Sequence, residues 1–224
     1  MDGKNFKYFD VIMAVFVAVL LISNIASTKI LVFWKFTFDG GTLLFPLSYI
    51  FGDILTEVYG YKRSRKVIWT GFFCAGLMSL VLIIVNILPP ASDWPYQEAF
   101  NNILGLAPRI VLASLVAYFA GEFSNSYILA KIKIWMAGKM LWVRTILSTL
   151  VGELVDTSFF ILIAFYGTLP NELLLTIFVS NYIFKCAVEI LFTPATYGAV
   201  NFLKKNENED YYDYDTNFNP FSLK

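Results

Sequence analysis

Asp53 and Glu57 stand four residues apart in an otherwise apolar stretch, a spacing that puts both carboxylates on one helix face. Lys185 and Glu189 repeat that spacing near the C-terminal end of the chain, Glu153 and Asp156 lie three apart, and a further apolar stretch holds Arg109, Glu122 and Asn125. Ionisable groups in such surroundings can pair with one another, bind protons, or meet a polar solute or cation. The acids Asp53, Glu57, Glu122, Glu153, Asp156 and Glu189 outnumber the bases, which are mainly Lys185, with Arg109 near a segment edge. Structural pairs such as Lys185 with Glu189 or Asp156 account for part of the set. The surplus acids must be protonated, coordinate a cation, or meet a ligand that offers donors. Asn24, Ser27, Thr28 and Lys29, together with Asn181 and Tyr182, add polar groups at comparable depth and point to a polar pocket.

Other chemistries find little support. The chain has no histidine, which removes the usual Ser-His and Cys-His pairs and the commonest proton relay residue, so any proton chemistry must use carboxylates. Cys74 and Cys186 lie in separate apolar runs, so neither a zinc site nor a disulfide framework is expected, and no metal or cofactor is implied. A formal net charge of zero, with basic residues in short blocks, gives no nucleic-acid surface.

The elements that must position these groups are membrane helices. With 58% hydrophobic and 15% charged residues over 224 positions, and a mean hydropathy of +0.63, the chain has more apolar surface than a soluble domain of this size buries. Six apolar segments, at about 10–33, 42–60, 66–88, 107–130, 142–168 and 172–203, meet the roughly 20 residues needed to cross the hydrocarbon core. The fold class expected is therefore all-α, a polytopic membrane protein of six transmembrane helices within residues 1–205. Lys4 and Lys7, the block Lys62, Arg63, Arg65 and Lys66, the block Lys131, Lys133, Lys139 and Arg144, and Lys204 and Lys205 all fall on one side. That side is cytoplasmic by the positive-inside rule, which places both termini there. Pro89, Pro90 and Pro95 mark a long outer loop between halves. The acidic, polar tail, 206–224, reads as disordered.

Residues 47–59, LSYIFGDILTEVY, align without gaps on 147–159, LSTLVGELVDTSF, pairing Gly52 with Gly152 and Asp53 with Glu153. Copies of three spans must enter the membrane in opposite senses, so the echo implies a 3+3 inverted repeat, a plan that gives transporters two exchangeable half-shapes around a midplane site. Chance matching within the small alphabet of membrane helices is the plain alternative. The stripes Ser48, Gly52, Thr56 and Ser148, Gly152, Asp156 carry small residues every four positions, and close helix packing explains their serines and glycines.

The motifs SNIASTKI (23–30), FPLSYIFGDILTEVYGYKRSRKVIW (45–69), APRIVLASLVAYFAGEFSN (107–125), GELVDTSFFILIAF (152–165) and NYIFKCAVEILFTPATYG (181–198) occur in this order. Together they resemble the queuosine precursor transporter family, also called vitamin uptake transporters, over nearly the whole chain. The resemblance implies a non-enzymatic, six-span protein of the cell membrane that imports 7-deazaguanine precursors of queuosine, such as 7-cyano-7-deazaguanine and 7-aminomethyl-7-deazaguanine. It places Asn24, Asp53, Arg109, Glu122, Asp156 and Lys185 in the substrate path. Glu57, Glu153 and Asn181 are motivated mainly by local chemistry, and Glu57 and Asn181 join the substrate-binding set. A deazaguanine edge offers adjacent N–H and amino donors beside a carbonyl, which one carboxylate with Lys or Asn can satisfy. Lipid and the solute base are the expected partners, with room for a homodimer. Two rivals stand: a substrate-binding subunit of an energy-coupling factor importer, for which Ala14-x-x-x-Ala18 offers a docking spacing, and an intramembrane aspartyl protease using Asp53 and Asp156.

Overall fold

A first apolar helix, α1 (Phe9–Ala26), gives way to an antiparallel hairpin of β1 (Ile30–Phe33) and β2 (Phe36–Asp39), in register from Ile30 opposite Asp39 to Phe33 opposite Phe36. The computed structural model describes residues 6–26, 29–33, 36–104, 108–167 and 171–222. The expectation that the first span runs helically to residue 33 is thereby corrected. Ile30, Val32 and Phe33 are strand-favouring types, and the Gly40 N–H closes the hairpin base by donating to the Lys29 carbonyl at 2.7 Å. Apart from this hairpin, the described residues form helices and their connections.

After a short 3₁₀ turn at Gly40–Leu43, the chain continues through α2 (Phe45–Tyr59), α3 (Tyr61–Ile87), a short α4 (Gln97–Leu104), α5 (Pro108–Trp135), α6 (Leu141–Phe165) and α7 (Asn171–Glu207). Prolines open two of them: Pro46 lies in the first turn of α2 and Pro108 begins α5, where a missing N–H costs nothing. Pro89, Pro90 and Pro95 fall between α3 and α4, where the long outer connection was expected.

The central element is α2, buried or half-buried along its whole length and packed against α1, α3, α5 and α7. The most extensive helix contact joins α5 to α6. Two glycines allow it: a Cβ on Gly152 would lie 2.8 Å from the Asn125 Cβ and 3.1 Å from the Gly121 carbonyl oxygen. Close backbone approach through small residues is how membrane helices gain packing without a hydrophobic driving force.

Among the described residues, four helices are long and apolar enough to cross a membrane: α1, α3, Leu141–Ile163 of α6 and Leu174–Glu207 of α7. They expose large apolar side chains such as Phe73, Leu80, Ile84, Leu162 and Leu191, a surface suited to lipid and not to water. The chain is a multi-pass membrane protein.

The tail corrects the expectation of disorder over 206–224, because residues 206–222 fold back on the basic end of the bundle. The Tyr211 N–H donates to the Val58 carbonyl at 3.2 Å, and the Asp213 carboxylate accepts the Tyr61 N–H at 3.0 and 3.1 Å. Arg65 donates to the carbonyls of Asn217 and Asn219 at 2.8 and 2.7 Å, and the Trp69 indole donates to Pro220 at 2.8 Å. Composition suggested disorder because acids repel one another. Here they meet complementary cations: Asp210 lies 2.6 Å from Lys133 and 2.9 Å from Lys204. Burial raises the Asp210 carboxyl, but these hydrogen bonds and charges prevail and hold it below its ordinary value.

The tail seats on the corner between α2 and α3, where Gly60 has φ +84° and Tyr211 occupies the space a Cβ would take. Gly60→Ala should therefore strain the backbone and displace Tyr211, lowering stability by about 1–3 kcal/mol. Thermal unfolding of the purified protein in detergent, compared with a Gly76→Ala control that has open space around it, measures the difference.

Candidate functional site

Two buried charge centres separate by depth and by composition. The first surrounds Glu57 near the end of α2. Arg144 of α6 grips its carboxylate through both terminal nitrogens, with the second bond at 3.0 Å. Lys204 of α7 adds a contact at 2.6 Å and Lys133 of α5 one at 3.5 Å. Lys133 also donates to the Glu57 carbonyl at 2.5 Å and to the Tyr211 carbonyl at 2.7 Å. One acid thus answers three cations, and the tail supplies Asp210 as a second. Arg144 and Lys133 are almost wholly buried, although their sequence positions read as loop charges. Their long apolar stems let the heads reach inward from helix ends.

The second centre is Lys185 of α7. Its ammonium lies 2.5 Å from Asp156 and 2.9 Å from Glu153, both on α6, and 4.8 Å from the centre of the Phe45 ring. Beside it is a cavity of about 70 Å³ lined by Asn24, Gly41, Phe45, Ser114, Ala117, Asp156, Thr157, Phe160, Asn181 and Lys185. Ligand pockets usually measure ~300–1,000 Å³, so the cavity in this conformation is smaller than a typical ligand site. Asn24 donates its side-chain amide to the Leu20 carbonyl at 2.9 Å. Five helices, α1, α2, α5, α6 and α7, and the 3₁₀ turn contribute to the wall.

A third group lies inside the bundle. Asp53 accepts a hydrogen bond from the Asn125 amide at 2.7 Å, while Glu122 of α5 rests on Gly52, where a Cβ would clash with its carboxylate. Glu189 is buried nearby on α7, within electrostatic reach of Asp53 and Glu153.

Of the residues expected from sequence to bind solute, the structure gathers Asn24, Asp156, Asn181 and Lys185 around one cavity. Asp53 and Glu122 are buried away from its wall, and Glu57 belongs to the cation-rich centre. Arg109 lies in the first turn of α5, with its side chain outside the described residues, as are Ser27 and Thr28. Phe45, Ser114, Thr157 and Phe160 line the cavity without having been singled out, since isolated aromatic and hydroxyl residues in membrane helices carry no distinguishing pattern. Asp53 engages Asn125 and Asp156 engages Lys185, so the two do not form the proton-sharing pair that an aspartyl protease needs.

The fold and this charged interior define a multi-helix membrane transporter. The profile of the family described as "Putative vitamin uptake transporter" matches residues 39–199. A "Probable queuosine precursor transporter" of Bacillus subtilis is 31% identical over 186 residues, covering 83% of this chain and 81% of that protein. One of the same name from Haemophilus influenzae is 30% identical over 71% of the chain and 67% of its own length. The "Queuosine precursor transporter" of Escherichia coli is 26% identical over 71% of both. The chain belongs to the vitamin uptake transporter family. No solved structure matches it.

Because Glu57 is enclosed by cations, Glu57→Gln should destabilise the bundle by about 3–5 kcal/mol, leaving buried positive charge unanswered. Glu57→Leu combined with Arg144→Leu should cost less than the two single changes summed. Thermal unfolding in detergent across that double-mutant cycle gives the coupling.

Proposed function

We propose that this protein imports 7-deazaguanine precursors of queuosine across the cell membrane, and that it acts as a carrier and not as an enzyme. The observation that supports this most is the pairing of Asp156 with Lys185 at the wall of a cavity that also presents Asn24, Asn181 and two aromatic rings. A deazaguanine carries an N–H and an amino group side by side, which one carboxylate accepts together. Its neighbouring carbonyl takes a donor. Asp156 and Lys185 are such a couple, and Glu153 keeps Lys185 partnered when Asp156 turns to the base. Phe45 and Phe160 supply faces for a planar ring. The relatives' names point to the same class of solute.

The carrier reading includes six crossings, α1, α2, α3, α5, α6 and α7, with both termini in the cytoplasm. At 15 residues, α2 spans only ~22 Å, short of the ~30 Å hydrocarbon core. Enclosed by neighbouring helices, it has no lipid boundary to match. Charged residues on α5, including Glu122, Lys131 and Lys133, depress its hydropathy for a related reason, since Glu122 and Lys133 face protein. We read α1–α3 and α5–α7 as the two inverted halves. Gly52 and Gly152, equivalent in the sequence echo, both meet α5 between residues 121 and 125.

Uptake is measured in cells that can neither make nor import the base, supplied with low concentrations of each deazaguanine, with queuosine in tRNA as readout. Asp156→Asn and Lys185→Met should each lower apparent affinity about 10–100-fold, the effect of losing a charge-assisted hydrogen bond of ~1.5–3 kcal/mol. Asn181→Ala should have a smaller effect. Unchanged uptake in both charge variants, at normal membrane abundance, sinks this assignment.

A further inference from the structure

Glu122 and Glu189 are almost completely buried, and neither oxygen of either carboxylate meets a hydrogen-bond donor among the described residues. The neutral oxygens Asn125 Oδ1, Thr149 Oγ1 and Thr157 Oγ1 are buried without partners in the same way. Such groups are uncommon in folded proteins and call for an explanation at each position.

Their charged surroundings sharpen the point. Glu122 faces Asp53 from α2, Glu153 and Asp156 from α6, and Glu189 from α7. The hydroxyls of Tyr49 and Tyr118 also lie within its reach. Glu189 faces Asp53 and Glu153. Lys185 is already shared between Glu153 and Asp156, and Arg144, which acts on Asp53 from a distance, is bound to Glu57. An ionised Glu122 or Glu189 would therefore meet other carboxyls, the Tyr49 and Tyr118 hydroxyls and the Cys186 thiol, with no ion pair among the described residues, in a low-dielectric interior, at a cost of several kcal/mol per charge. No group of three or more acidic, cysteine or histidine side chains among the described residues is arranged as a metal site. A hydrogen ion does fit, because it needs one oxygen and no coordination shell.

Resting on the carrier reading above, we propose that Glu122 and Glu189 are a proton-binding site behind the solute cavity, through which a hydrogen ion travels inward with the solute. Glu153 links the two regions: it shares Lys185 with the cavity residue Asp156 and neighbours both Glu122 and Glu189. When Asp156 turns to the base, Lys185 moves wholly to Glu153, and the field of Glu153 on the two buried acids changes. In each cycle one O–H bond forms with a proton from outside water, and the same bond breaks toward cytoplasmic water, with no electrons exchanged.

The test uses the full-length purified protein. Infrared difference spectra near neutral pH should show a protonated-carboxyl C=O band that shrinks in Glu122→Gln and Glu189→Gln and remains in Glu189→Asp. In vesicles, an inward proton gradient of one pH unit should drive about tenfold accumulation of a deazaguanine by the parent protein. The two Gln variants should lose that accumulation, and Glu189→Gln should still exchange labelled base across the membrane. Gln is close in shape to a protonated Glu, so folding should persist. Absence of the band, or gradient-driven accumulation that survives in both Gln variants, overturns the proton site. If the parent protein exchanges no deazaguanine yet shows the band, the solute assignment fails and the proton site stands.

Discussion

Carboxylates inside a helical bundle must be answered by something, and the supply of cations here is uneven. Glu57 has Arg144, Lys133 and Lys204 around it, whereas Glu153 and Asp156 share Lys185 alone, and Asp53, Glu122 and Glu189 have no ion pair among the described residues. Ion pairs in a low-dielectric interior hold geometry firmly when every partner is satisfied and fail when one is missing. The cation-rich end is therefore a fixed joint. The acid-rich interior is the part of the molecule whose electrostatics are incomplete without a ligand or a proton.

That imbalance depends on α2. A helix too short to span by itself, it is enclosed by α1, α3, α5 and α7 and delivers Asp53 to the interior and Glu57 to the joint on a single face. Gly52, on the neighbouring face with Ser48 and Thr56, gives Glu122 its seat. Thr56, one turn on, donates to Ser126 of α5 at 3.1 Å. The spacing of small and acidic residues thus sets both the closeness of α2 to α5 and the depth of the acids. A larger residue at Gly52 would remove the space Glu122 occupies.

Much of this was legible in the sequence. Apolar segments located the long helices, and the ionisable residues within them marked the interior, because lipid penalises charge strongly enough to leave few other readings. The excess of acids over bases was also visible, although its size was overstated at Glu57. Arg144 and Lys133 sit in a basic block that reads as loop, and only the structure brings their heads inward. The hairpin after Ala26 was missed because a short apolar strand and the end of an apolar helix have the same composition. The ordered tail was missed because its partners Lys133, Arg65 and the Tyr61 backbone are distant in sequence.

The tail and the joint also constrain how a carrier of this design moves. Asp210 and Asp213 tie the C-terminal residues to α3, α5 and α7, on the side where Glu57 already binds α2 to α5, α6 and α7. Rearrangement at that end has to break several charge-assisted contacts together, whereas at the cavity it breaks the contact of one lysine with two acids. Lys185 can exchange partners within its own pair, since Glu153 and Asp156 are one turn apart on α6. A polar base that competes for Asp156 changes the charge distribution there without exposing an uncompensated ammonium. By this unequal distribution of charge, separating the helices at the cavity breaks fewer charge-assisted contacts than separating them at the cation-rich end.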